Sequence, residues 1–173
     1  MSPTAARLPP VLLVAVVLHT AVAPQLRLFG VAADLLLLAG IAAGLAAGAD
    51  RGAVVGFAAG LLADCFLQTP FGLSALTYSL VAYAVGAFQS TVLHAGRWIP
   101  IVTTLVASAV GVVLFALIGM VLGQEHLVSL RLVTIAAVVA VLNAAASPVV
   151  VRLMRWATAA PLVAGRPTMR PAR

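Results

Sequence analysis

The chain holds four acidic side chains, three histidines and one cysteine, and their spacing decides what chemistry is open to it. Asp34 and Asp64 each stand toward one end of a long apolar run. Two helices could therefore bring the carboxylates together as an aspartyl pair for acid–base work. Neither lies in a Gly-x-Gly-Asp setting, however, and neither is central in its run. His19, His94 and His126 fall on three separate segments, so no metal-ligand spacing forms. No serine has both a histidine and an acid at its own level, and no Gly-x-x-x-x-Gly-Lys run is present to cradle phosphate. Cys65 has no internal partner and reads as a small buried apolar residue, with a reactive thiol as the alternative. The expectation is a protein without catalytic residues, cofactor or metal.

Composition explains why so little chemistry is on offer. Apolar residues make up 64% of the chain and charged ones 8%, against about 25% charged in ordinary soluble domains. So much apolar surface requires lipid as the solvent. All ten basic residues are arginine. They stand between or after apolar runs and form no basic domain, which argues against nucleic acid as a partner.

Six hydrophobic segments can be marked, at about 9–23, 31–49, 53–67, 73–93, 99–122 and 130–154. Short connections make sequence neighbours antiparallel neighbours in space. The predicted fold is all-α: a polytopic integral membrane protein, a six-helix bundle forming one transmembrane domain over 1–156. Residues 157–173, with Pro161, Pro167 and Pro171, read as a flexible Arg/Pro-rich cytoplasmic tail. Six spans place both termini on one side, with Arg7, Arg51, Arg97, Arg152, Arg155, Arg166, Arg170 and Arg173. Only Arg27 and Arg131 lie on the other. The positive-inside rule makes the arginine-rich side cytoplasmic, and Trp98 and Trp156 fall at its boundary. Arg7, the apolar run after it and Ala21-Val22-Ala23 imitate a cleavable signal, but Pro24 is a poor residue to follow a cleavage site.

Glycine organises the middle of the chain. Gly40, Gly44 and Gly48 form one ladder at four-residue spacing, and Gly52, Gly56 and Gly60 form another. Each ladder lies on one helix face, where backbones can approach closely. The expectation is a packed hairpin turning at Asp50-Arg51. Asp64 continues the second ladder by the same step and so faces the bundle interior. Asp34, Ser74, Thr77 and Tyr78 share its level, and Arg27 and Arg131 flank it. A polar cluster is expected near the outer surface, with Asp64 accepting hydrogen bonds from hydroxyl groups or an arginine. On that reading Asp64→Asn would be nearly silent for folding. In the last segment Asn143 can tie two helices together. Pro148 removes the amide that would bond the Ala144 carbonyl, and so should kink the helix.

The run GFAAGLLADCFLQTPFGLSALTYSLVAY, from Gly56 to Tyr83, resembles the core signature of the rod shape-determining protein MreD family. The matching positions are Asp34-Leu35, Gly56-Phe57, Gly60-Leu61, Asp64, Gly72-Leu73, Ala75-Leu76 and Tyr83; Ala33 stands where the family has proline. The Asn143-bearing last helix fits as well. The resemblance implies a non-enzymatic membrane subunit of the bacterial cell-elongation complex that makes peptidoglycan. Its partner would be an MreC-like scaffold and, through it, a RodA-type glycosyltransferase and a class B transpeptidase, with MreB filaments beneath the plasma membrane. It also implies a fold similar to the S-components of energy-coupling factor transporters. That relation supplies the alternative function, a substrate-binding component for uptake of a vitamin or other small molecule.

The arginine asymmetry generates a test. A reporter active only outside the cytoplasm, fused at Arg173, is expected to give no signal; a strong signal reverses the topology.

Overall fold

The computed structural model describes residues 3–22, 25, 30–66, 70–89, 98–124, 128–129 and 131–159. They form six α-helices: α1 (Pro3–Val17, continued by a π-helical turn at Leu18–Val22), α2 (Leu35–Ala47), α3 (Ala49–Asp64), α4 (Leu73–Ala87), α5 (Ile99–Val121) and α6 (Arg131–Thr158). Helices α5 and α6 are long and apolar enough to cross a bilayer. At 1.5 Å per residue they reach about 34 and 42 Å, against a hydrocarbon core of about 30 Å. The helices α2, α3 and α4 are shorter, at about 20–24 Å.

The short helices form the centre. Every residue of α2 from Leu36 to Leu45 is buried, the mark of a helix that is apolar all round and enclosed by others. It packs against each of the other five helices. Glycine makes the closest approaches possible. Gly40 meets Gly56, and Gly44 meets Gly52, so α2 and α3 run antiparallel. A Cβ on Gly44 would stand 2.5 Å from the Ala82 carbonyl oxygen, and one on Gly56 2.6 Å from that of Tyr78. A Cβ on Gly60 would fall on the backbone of Ala75. The ladders therefore join three helices, with α4 lying along the seam between α2 and α3. Gly86, outside either ladder, completes it by packing on the backbone of Gly48 and Ala49.

The α2–α3 turn lies at Gly48, whose φ of +88° favours glycine, and not at Asp50-Arg51 as expected. Asp50 and Arg51 are exposed in the first turn of α3, where a carboxylate suits the positive end of the helix dipole. Cys65 is also a correction. It is exposed just past the end of α3, with its Sγ 3.3 Å from the Leu61 carbonyl. Helix α6 runs unbroken through Pro148 to Thr158, taking in the first two residues of the expected tail. The Ser147 hydroxyl donates to the Ala144 carbonyl at 2.8 Å, replacing the bond that Pro148 cannot make. At the far end of α6 the Arg7 guanidinium lies 5.1 Å from the Trp156 ring centroid, so the start of α1 and the end of α6 share one end of the bundle.

The glycine contacts separate two substitutions of equal size. Gly44→Ala pushes a methyl into backbone that cannot yield, and should destabilise by about 1–3 kcal/mol. A Cβ on Gly111 would meet side-chain methyls alone, those of Leu37 at 3.0 and 3.2 Å and one of Val81 at 3.6 Å, and side chains can shift where backbone cannot. Thermal unfolding in detergent should show a clear drop for Gly44→Ala and little change for Gly111→Ala.

Candidate functional site

Polar groups gather at the end of the bundle where α2 and α4 begin and α3 stops. Helix starts leave backbone N–H groups without partners, and inside an apolar bundle water cannot supply them. The two aspartates do. Asp64 is 4% exposed. Its Oδ2 accepts from the Gly72 amide at 2.8 Å and the Ala75 amide at 3.3 Å, and its Oδ1 from the Ser74 amide at 3.1 Å. Gly72, at φ +97°, turns the chain so that these amides converge. The expected hydroxyl or arginine donors to Asp64 are thus replaced by the start of α4 itself. Asp34 caps α2 in the same manner, with Oδ1 accepting from the Leu37 amide at 3.0 Å. The Tyr78 hydroxyl donates to Asp34 Oδ2 and ties that cap to α4.

The remaining positions divide. Thr77 donates within its own helix, to the Leu73 carbonyl at 2.9 Å. Ser74 is fully buried, and its hydroxyl has no partner among the described residues. Asn143 lies apart from this cluster, where its Nδ2 donates to Ser108 Oγ at 3.1 Å and joins α6 to α5. Phe57 and Tyr83 face outward, at 49% and 51% exposure. Arg27, His94, Arg97 and His126 lie outside the described residues.

One participant escaped the sequence reading. His19 lies in the π-helical turn after α1 and lines a cavity of about 280 Å³ together with Asp34 and Tyr78. Its Nδ1 is buried without a hydrogen-bond partner among the described residues. The available signal was its level: His19 stands near the end of the first apolar segment, at the same end of the bundle as Asp34. Among the described residues no three His, Cys, Asp or Glu side chains converge on a metal site.

The described residues thus form an all-α fold in which two helices are long and apolar enough to cross a membrane. The family model for rod shape-determining protein MreD matches residues 6–157, and the chain belongs to that family. It is thus a rod shape-determining membrane protein, of a family that is part of the MreBCD rod-shape system and is not known for enzymes. No curated protein and no solved structure matches the chain.

The capping geometry revises what Asp64 variants should do. Both carboxylate oxygens face N–H donors, so the amide nitrogen of Asn would meet a donor with a donor. Asp64→Asn should therefore cost about 1–3 kcal/mol for an amide left unsatisfied, and Asp64→Leu more. Membrane abundance and thermal unfolding of both variants check this; a silent Asn variant contradicts the capping role.

Proposed function

We propose that this chain is a non-enzymatic subunit of the bacterial cell-elongation machinery, acting by binding an MreC-like, membrane-anchored scaffold. Through that scaffold it meets a RodA-type glycosyltransferase and a class B transpeptidase, and indirectly MreB filaments. It spans the plasma membrane six times as one domain over 1–156, with both termini in the cytoplasm and the arginine-rich tail near anionic headgroups. The observation that carries this reading is the family match across 6–157.

The placement of the family-like residues supports it. Those that resemble the signature and face inward, Gly56, Gly60 and Asp64, are used in packing and capping. Phe57 and Tyr83 are not. Phe57 stands with Val54 on an exposed stripe of α3, and Tyr83 with Leu76 and Leu80 on one of α4. Aromatic side chains on a lipid-facing helix give a partner helix large, rigid surfaces for dispersion packing. The second reading, a substrate-binding component similar to energy-coupling factor S-components, is favoured by one observation, the cavity beside Asp34.

Affinity purification from native membranes with mass spectrometry separates the two. The scaffold reading expects cell-wall synthesis proteins, and the transporter reading a coupling subunit with ATPases. Phe57→Ala and Tyr83→Ala should leave membrane abundance unchanged and lower the recovered scaffold several-fold.

A further inference from the structure

The cavity beside Asp34 has a chemistry that the scaffold reading does not use. Helices α2 to α6, the segment before α2 and the π-helical turn all contribute to its wall. At about 280 Å³ it lies near the lower end of small-molecule pockets. Among the described residues its polar side chains are His19, Asp34 and Tyr78; the rest of that lining, including Leu37, Phe115 and Val139, is apolar.

Each polar group narrows the choice of occupant. Asp34 brings a carboxylate, and among the described residues no cationic side chain lines the wall. A phosphate or carboxylate ligand would meet like charge at low dielectric. The Tyr78 hydroxyl spends its proton on Asp34 Oδ2, while the Leu37 amide holds Oδ1. The carboxylate is thus fixed in direction at the cavity wall. His19 Nδ1 is buried with no partner among the described residues, and a buried polar atom left so is costly. It sits in a π-helical turn, a rare distortion that is frequent at functional sites.

We propose that this cavity binds a small cationic amphiphile: a primary ammonium on a short apolar body, with Asp34 as counter-charge and His19 Nδ1 as a second acceptor. An ammonium brings three donors and no acceptor, which matches one carboxylate and one ring nitrogen. The apolar body takes the surface offered by Leu37, Phe115 and Val139. The ammonium can belong to a free alkylamine or, with its phosphate left outside the cavity, to a phosphatidylethanolamine headgroup. This site stands on the cavity alone and does not depend on the scaffold reading.

The test uses the full chain in phosphatidylcholine nanodiscs, with ring-¹⁵N histidine and hexylammonium as the probe. The His19 resonance, assigned by its loss in His19→Gln, should shift saturably with hexylammonium. It should respond at least tenfold more weakly to 1-hexanol, the uncharged isostere. Asp34→Asn should weaken the hexylammonium response at least tenfold. Phe115→Trp intrudes on the apolar part of the cavity without replacing any group that hydrogen-bonds to Asp34, and should weaken the response several-fold. It therefore serves as the test if Asp34→Asn fails to fold. Repetition in phosphatidylethanolamine nanodiscs identifies the source: a weakened hexylammonium response means that the lipid headgroup competes for the site, and an unchanged one that the ligand is a free amine. No saturable shift, equal responses to hexanol and hexylammonium, or unchanged binding in Asp34→Asn or Phe115→Trp overturns the proposal. So does a response seen only after Arg27→Gln, because the chain's own guanidinium would then be the occupant.

Discussion

The bundle depends on backbone-to-backbone contact among α2, α3 and α4. In lipid there is little hydrophobic gain from bringing apolar helices together, because the tails are as apolar as leucine. Association has to come from dispersion at short range and from hydrogen bonds. Glycine at Gly44, Gly52, Gly56, Gly60 and Gly86 removes the side chains that would hold the helices apart. The resulting three-helix seam is tight enough that a single methyl strikes backbone at several points. Around it the longer α5 and α6 present their apolar surfaces to the bilayer.

Close packing creates the problem that the aspartates solve. A short helix buried in a dry interior has terminal amides that no water can reach. Asp64 ends α3 one ladder step after Gly60, so its carboxylate arrives at the start of α4, the helix on which that ladder packs. Asp34 meets the same need for α2, and Tyr78 links the two caps through α4. The acids thus belong to the packing scheme. Among the described residues, buried polar atoms without a partner remain at His19 Nδ1, the Ser74 hydroxyl and Asn143 Oδ1.

Much of this was legible in the sequence, for physical reasons. Helix existence followed from apolar runs, and the inward face of Asp64 from its place on the Gly56-Gly60 step. The role of α4 was hidden because its contribution is Ala75, Ala82 and Gly86, residues that look like filler in an alanine-rich chain. Charge at Asp50-Arg51 suggested the turn, yet backbone conformation decided it at Gly48. The donors to Asp64 were missed because they are main-chain amides, which every non-proline residue carries and no sequence pattern marks. Cys65 lay at a helix end, where a one-residue change of boundary turns a buried position into an exposed one. The π-helical turn at His19 has no signature that periodicity can detect.

The shortness of α2 has a consequence for how the protein is made. Thirteen residues cover about two-thirds of the hydrocarbon thickness. Alone in a bilayer, this segment would leave peptide groups at one end unsolvated or thin the membrane around it. Its stable state exists only with α3 folded back on it and α4 along the seam. The physical expectation is that the three helices become stable together, α2 and α3 as a hairpin with α4 along its seam. A lesion at the seam would accordingly strike during biogenesis, before any mature protein exists to be destabilised.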